Sequence, residues 1–273
     1  MKRFTYLITL AIFILNACIG GQKDTGTDVR TRSLSLILKG QVPNDFIPRE
    51  ITITAIGDSL TQGVGDDTGQ GGYLYYVQNQ MSHLKGIRKV NIHNLGVRGN
   101  QSTHLIQRLK QEETIQPIKN SDLIIMTIGA NDIMKIVREN FTHLSLDDFE
   151  KEQPQYLERL KEIVQTIRDY NDEAPIILIG LYNPFISYFS DLEEINQIIH
   201  DWNEGSLQVV QSYENMYFTP IQDVFTENIE ELLSEDYFHP NQLGYQLIGN
   251  RVTDTILEKN LDDWMYDQHV KKE

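Results

Sequence analysis

The chain has 273 residues, 40% of them hydrophobic and 23% charged, which suits one ordinary globular domain with terminal extensions. A core of that size needs neither disulfides nor a structural metal, and the single cysteine, Cys18, excludes an intramolecular disulfide. The formal net charge of −15 would be repelled by nucleic acid phosphates and by anionic lipid, so nucleic acid is excluded as a partner and the charge is read as serving solubility.

In chain order, Lys2 and Arg3 precede an apolar run, Phe4 to Leu15, too short to span a bilayer and followed by small residues. That order of features is the pattern of an export signal. Leu15-Asn16-Ala17-Cys18, followed by Ile19-Gly20-Gly21, resembles a bacterial lipobox, in which the cysteine is acylated and becomes the first residue of the mature chain. Asn16 departs from the small or apolar residue usual there. The resemblance implies a signal peptide at 1–17, lipidation of Cys18 and an extracytoplasmic protein held at the bacterial cell membrane by its lipid. An ordinary cleaved signal or an uncleaved anchor are the alternatives. Residues 19 to about 33, rich in Gly, Thr, Asp and Lys, have the composition of a flexible tether, which together with Leu34–Pro48 gives a segment at 18–48.

From 49 to 260 strands and helices alternate. Ile51–Ile56 is a β-rich run ending at Gly57. Tyr73–Leu84 has helical length and spacing, Val90–Leu95 is a second strand, and Ser102 to about Ile115 a second helix. Asp122–Ile128 is a continuous apolar run, as in a buried parallel strand. Phe149–Tyr170 is an amphipathic helix expected to begin irregularly near Pro154. Ala174–Leu181 is a strand, Leu192–Tyr213 a helix, Met216–Ile221 a last strand and Asn241–Lys259 a closing helix, with a tail at 261–273. The absence of tight hairpin signals predicts right-handed crossovers and a three-layer α/β/α domain around a five-stranded parallel sheet. In such sheets reactive groups gather beyond the strand carboxyl ends, here after Ile56, Leu95 and Ile128 and near the last helix.

Polar residues stand at each of these points. Ser59 lies in a glycine-bounded turn after the first strand, where a serine can expose its hydroxyl beside its own backbone N–H. Thr61 replaces the second glycine of Gly-x-Ser-x-Gly, so the α/β-hydrolase elbow is absent. After the second strand, Asn94-Leu95-Gly96-Val97-Arg98-Gly99-Asn100-Gln101-Ser102 holds two glycines that let backbone approach a ligand. After the third, Gly129-Ala130-Asn131-Asp132 offers a side-chain amide as an oxyanion donor and Asp132 as a helix cap. Near the C-terminus, Asp236 precedes His239 by three residues, close enough to fix the imidazole tautomer and leave Nε2 free as a base. Pro240 suits the first helical position, which would put His239 at the helix boundary. Each feature also has a purely structural reading: an ordinary turn, a cap, a glycine bend.

Taken together, Gly57-Asp58-Ser59-Leu60, the Asn94–Gly99 stretch, Gly129-x-Asn131-Asp132 and Asp236-x-x-His239 resemble the four blocks of the GDSL, or SGNH, hydrolases, across about residues 51–259. The resemblance implies a flavodoxin-like fold and acyl-ester hydrolysis without a metal or organic cofactor. It implies Ser59 as nucleophile, His239 as base and then acid, and Asp236 as its orienting carboxylate. The oxyanion hole would be the backbone N–H groups of Ser59 and Gly99 and the Asn131 side chain, with Asp58 bracing the turn.

Seven histidines form no metal-binding cluster in the sequence. The glycines between Gly63 and Gly72 match no phosphate-binding motif and are read as a mobile loop beside Ser59, with Asp66 and Asp67 solvated in it. Trp202 and Tyr213 are read as packing residues. Tyr73, Tyr182, Asn183 and Phe185 are candidates to line an acyl or alcohol pocket. The expected protein is a monomeric lipase or esterase acting on lipid or small acyl esters. A carbohydrate O-deacetylase and a catalytically idle surface binding protein are the alternatives.

Overall fold

The computed structural model describes residues 48–140, 143, 145–184, 193–226 and 229–265. The signal at 1–17, Cys18, nearly all of the tether, Phe185 and most of the tail lie outside the described residues.

Five strands form one sheet: β1 (Arg49–Gly57), β2 (Ile87–Gly96), β3 (Leu123–Thr127), β4 (Ile176–Ile179) and β5 (Met216–Thr219). Every pairing is parallel and the order is β2-β1-β3-β4-β5. The expected α/β/α, flavodoxin-like architecture is therefore present. Side chains alternate between the two faces, as strand geometry requires. Ile124, Met126, Ile176 and Leu178 enter one core with the helices Ser102–Arg108, Ala130–Glu139, Leu146–Tyr170 and Glu193–Gln211. Ile53, Ala55, Ile125 and Ile177 enter the other with Tyr73–Ser82 and Gln242–Glu258. The strand order reverses between β1 and β3, so the segments leaving these two strands diverge and open a crevice at their carboxyl ends.

Three helices differ from the sequence expectation in ways that their contacts explain. The helix expected from Ser102 to about Ile115 is two helices, Ser102–Arg108 and Glu112–Lys119. Arg108 reaches back to the Leu95 carbonyl, Leu109 is buried at the bend, and Glu112 and Glu113 open the second helix at its positive end. The long helix starts at Leu146 and runs straight through Pro154 to Tyr170. Its start is set by Ser145, whose N–H and hydroxyl both meet the Asp148 carboxylate. Pro154 is tolerated because it and Glu150, whose carbonyl loses its helical partner, both face solvent. The closing helix begins at Gln242, capped by Asn241, which accepts from the Gly244 N–H at 3.0 Å. Pro240 is thus outside the helix, in a β-bridge with Leu233, and His239 belongs to the loop before it.

Candidate active site

Ser59 is the first residue of a single helical turn, Ser59–Gln62, that follows β1 directly. Asp58 caps it: its Oδ1 accepts from the Leu60 N–H at 3.0 Å and from the Thr127 hydroxyl at 2.8 Å. Thr127 in turn lies 2.8 Å from the Thr61 hydroxyl, which lies 3.1 Å from the Tyr73 hydroxyl. Burial pushes the Asp58 carboxyl up, opposed by the Thr127 hydroxyl, the Leu60 N–H and the nearby His239. The bracing role expected of Asp58 is what these bonds describe. The N–H of Ser59, in the first turn, has no acceptor within its own helix.

His239 Nε2 lies 2.8 Å from Ser59 Oγ, and His239 Nδ1 lies 2.6 Å from Asp236 Oδ2. Both Ser59 and His239 are buried. The loop holding the histidine is closed by the Leu233–Pro240 bridge and by the Ser234 N–H on the His239 carbonyl. Tyr237, at φ +53°, turns the chain so that the Phe238 and His239 N–H groups both reach Asp236 Oδ1. Partial burial alone would raise the Asp236 carboxyl, but the His239 N–H and ring, the Phe238 N–H and the Ser234 hydroxyl hold it well below the usual carboxylate range. An ionised Asp236 against Nδ1 fixes the imidazole with Nε2 directed at the serine.

The glycine that ends β2, Gly96, and the one that follows it, Gly99, have different surroundings. A methyl group on Gly96 would lie 2.2 Å from the Gln62 nitrogen, so Gly96 permits backbone contact with the serine's turn. Gly99 is exposed at φ +81° with nothing within 4 Å of such a methyl, open space in which an incoming group can meet its backbone. Asn131 lies at the start of Ala130–Glu139 and donates one amide hydrogen to the Asn100 carbonyl at 3.0 Å, which orients the amide and leaves its second hydrogen. Asn100 itself donates to the Gly57 carbonyl at 3.2 Å, tying this corner to the end of β1.

Asp132 does not cap its helix. Gly129 stands at the cap position, and the Asp132 carboxylate takes the Ser102 N–H at 2.9 Å and its hydroxyl at 2.5 Å. Arg159 adds a bond to the Ser102 hydroxyl at 2.7 Å, an ion pair to Asp132 at 3.4 Å and another to Glu152 at 2.7 Å. Burial pushes Asp132 up, against the pull of Ser102 and Arg159. This network clamps the segment after β2 to the segment after β3.

Asp66, half-buried in its loop, is also the hub of that loop, accepting from the Thr68 N–H and hydroxyl and from the Gly71 and Gly72 N–H groups. Tyr73 is fully buried beneath the serine's turn, Asn183 is buried and donates to Asn196, and Tyr182 donates to the Phe238 carbonyl at 2.6 Å. In each of these three, a polar side-chain group meets protein. Trp202 is buried and stacked on Tyr156, and Tyr213 packs on the same core, as expected of packing residues. Sequence reasoning passed over Asn100, Ser102, Thr127 and Arg159. Thr127 alone carried a signal, a hydroxyl in an otherwise apolar strand that must find a partner when buried.

The profile of the GDSL-like Lipase/Acylhydrolase family matches residues 55–247, which include every site residue above. The uncharacterized protein YpmR of Bacillus subtilis is 35% identical over 96% of this chain and 98% of its own length. The spore germination lipase LipC of Bacillus licheniformis is 25% identical over 73% of this chain and 93% of its own. Among solved structures, the lipase Lip_vut3 from a goat rumen metagenome superposes with a TM-score of 0.67 at 22% identity, over 75% of this chain and 97% of that one. The acetylxylan esterase Axe2 of Geobacillus stearothermophilus does so with 0.58 at 20% identity, over 77% and 96%. These likenesses in structure bear out the fold. On the extent of the profile match and the near full-length relative, this chain belongs to the GDSL-like lipase/acylhydrolase family.

Proposed function

We propose that the protein hydrolyses carboxylic esters through an acyl-Ser59 intermediate. The observation that carries this reading is the 2.8 Å approach of His239 Nε2 to Ser59 Oγ, with Nδ1 held on Asp236. His239 removes the serine proton as Oγ attacks the ester carbonyl, and Asp236 stabilises the imidazolium that forms. The carbonyl oxygen becomes an oxyanion beside the Ser59 and Gly99 N–H groups and the Asn131 amide. His239 then returns the proton to the departing alcohol, and water activated by the same imidazole releases the acid. Each proton moved is accounted for by one side chain.

The substrate we infer is a lipid or small acyl ester. Support comes from the family and from the lipase LipC as a sequence relative. An O-acetylated glycan is the second reading, supported by the acetylxylan esterase Axe2 as a structural neighbour. Turnover of p-nitrophenyl esters from acetyl to palmitoyl, beside acetate release from acetylated xylan, separates the two. A profile confined to acetylated glycan would replace the lipid reading. Loss of all turnover in Ser59→Ala, folded by circular dichroism, is expected; residual activity near wild type would overturn the nucleophile.

We further infer that residues 1–17 are an export signal and that Cys18 carries lipid, placing the enzyme outside the cell membrane as an anchored monomer. The support is the order of basic, apolar and small residues ending at the single cysteine. Metabolic palmitate labelling of cells expressing the full chain should be lost in Cys18→Ser. Label that persists contradicts the assignment.

A further inference from the structure

The Gly63–Gly72 loop touches both Ser59 and the loop that carries His239. Its first strand of contacts runs to the nucleophile: the N–H groups of Gly63 and Val64 both donate to the Ser59 carbonyl, each at 3.1 Å. Val64 also makes the second contact, its carbonyl accepting the Tyr245 hydroxyl of the closing helix at 2.6 Å. The third runs to the histidine loop. A methyl group on Gly65 would lie 2.6 Å from the Pro240 carbonyl oxygen, 2.9 Å from His239 Cβ and 3.0 Å from Ser234 Oγ. Gly65 therefore rests its bare α-carbon on the backbone that carries His239, at φ +94°.

Asp66 holds this arrangement closed. Its carboxylate gathers four donors from Thr68, Gly71 and Gly72, and a methyl on Gly72 would lie 2.9 Å from Gly63 Cα, so the two ends of the loop meet. These bonds, against the cost of partial burial, keep Asp66 below the usual carboxylate range, ionised at neutral pH.

We infer that Val64–Asp66 is a positioning element that sets the separation of Ser59 and His239, with Gly65 as the contact through which it acts. The inference rests on the hydrolase reading above and assigns the loop a second task in it, a fixed buttress in place of a moving cover. None of its residues is a catalytic residue; each acts through the backbone of Ser59 or His239.

The loop supplies its own control. Gly69 also has positive φ, +67°, but nothing lies within 4 Å of a methyl placed there, and its N–H is not one of the donors to the Asp66 carboxylate. Gly65→Ala and Gly69→Ala thus both put an alanine at positive φ in the same loop, and only the first pushes on His239. With a soluble ester, Gly65→Ala should lower kcat by about tenfold to a hundredfold with KM within about threefold, because misplacement by a fraction of an ångström acts on proton transfer and not on binding. Gly69→Ala should keep kcat within about threefold of wild type. The low-field proton resonance of the His239–Asp236 bridge should shift in Gly65→Ala and stay in place in Gly69→Ala. If Gly65→Ala does not fold, Tyr245→Phe, which frees the Val64 carbonyl, carries the test with an expected fall in kcat of about threefold to tenfold. Equal kcat in the two alanine variants, or an unchanged kcat in Tyr245→Phe, overturns the inference. Wild-type protein that cleaves no ester overturns the hydrolase reading instead, and the resonance then still reports whether Gly65 sets the histidine.

Discussion

The two sides of Ser59 are held by different kinds of contact. On the side proposed for acid–base chemistry, residues 234–239 form a short loop whose bonds are local and partly open to water, with Gly65 leaning on it from outside. On the side proposed to hold the oxyanion, Gly99 and Asn131 come from segments some thirty residues apart, clamped by the buried Ser102–Asp132–Arg159 network. A local loop can be altered with modest effect on the fold, whereas a buried charged network cannot lose a member without leaving polar groups unpaired. Chemistry and stability should therefore separate by side.

The largest effect expected is on chemistry alone. Ser59→Ala or His239→Ala should lower kcat by roughly ten-thousandfold or more while the thermal midpoint stays near wild type. Asp236→Asn, which keeps the shape but loses the charge that fixes the imidazole, should cost about a thousandfold or more in kcat. Next comes the oxyanion side, where Asn131→Ala should cost about a hundredfold to a thousandfold, with KM little changed. A rise in KM without loss of kcat would show the amide binding ground-state substrate and not the oxyanion.

Stability should show the reverse order. Asp132→Ala strands the Ser102 N–H and hydroxyl and should cost about 3 kcal/mol of unfolding free energy by urea titration. Asp236→Ala, whose side chain is 39% exposed, should cost about 1 kcal/mol. Equal losses would break the comparison.

The smallest effect is a pH dependence. Because folding lowers the Asp236 pKa, its contribution to stability is present above the ordinary carboxylate value of about 3.9 and is lost as pH falls through the folded value. The stability gap between wild type and Asp236→Asn should therefore narrow below pH about 4. A gap that widens on acidification contradicts the sign.

The same contrast explains what was legible. The sheet was, because Leu123–Thr127 is buried on both faces and is apolar from Leu123 to Met126, which reads as a parallel strand. The Asp236–His239 contact was, because the two are three residues apart and meet within one turn of chain. The oxyanion support was not: Arg159 sits in a charged helix 57 residues from the Ser102 it bonds, and nothing in a helical charge pattern marks one arginine as turned inward. The partners of Asp66 were hidden for a similar reason, since nothing in an aspartate among glycines marks which backbone N–H groups it will gather. The break at Leu109 and the run through Pro154 were set by tertiary contact and by exposure, both of which override local propensity.

The central claim is an acyl group on Ser59, and rapid-quench mass spectrometry of the protein with p-nitrophenyl acetate tests it directly. The account predicts a burst of p-nitrophenol matched by an acetyl adduct on the peptide containing Ser59, decaying at the steady-state rate and absent from His239→Ala. An adduct on another residue, or full turnover with Ser59 replaced by alanine, would contradict it.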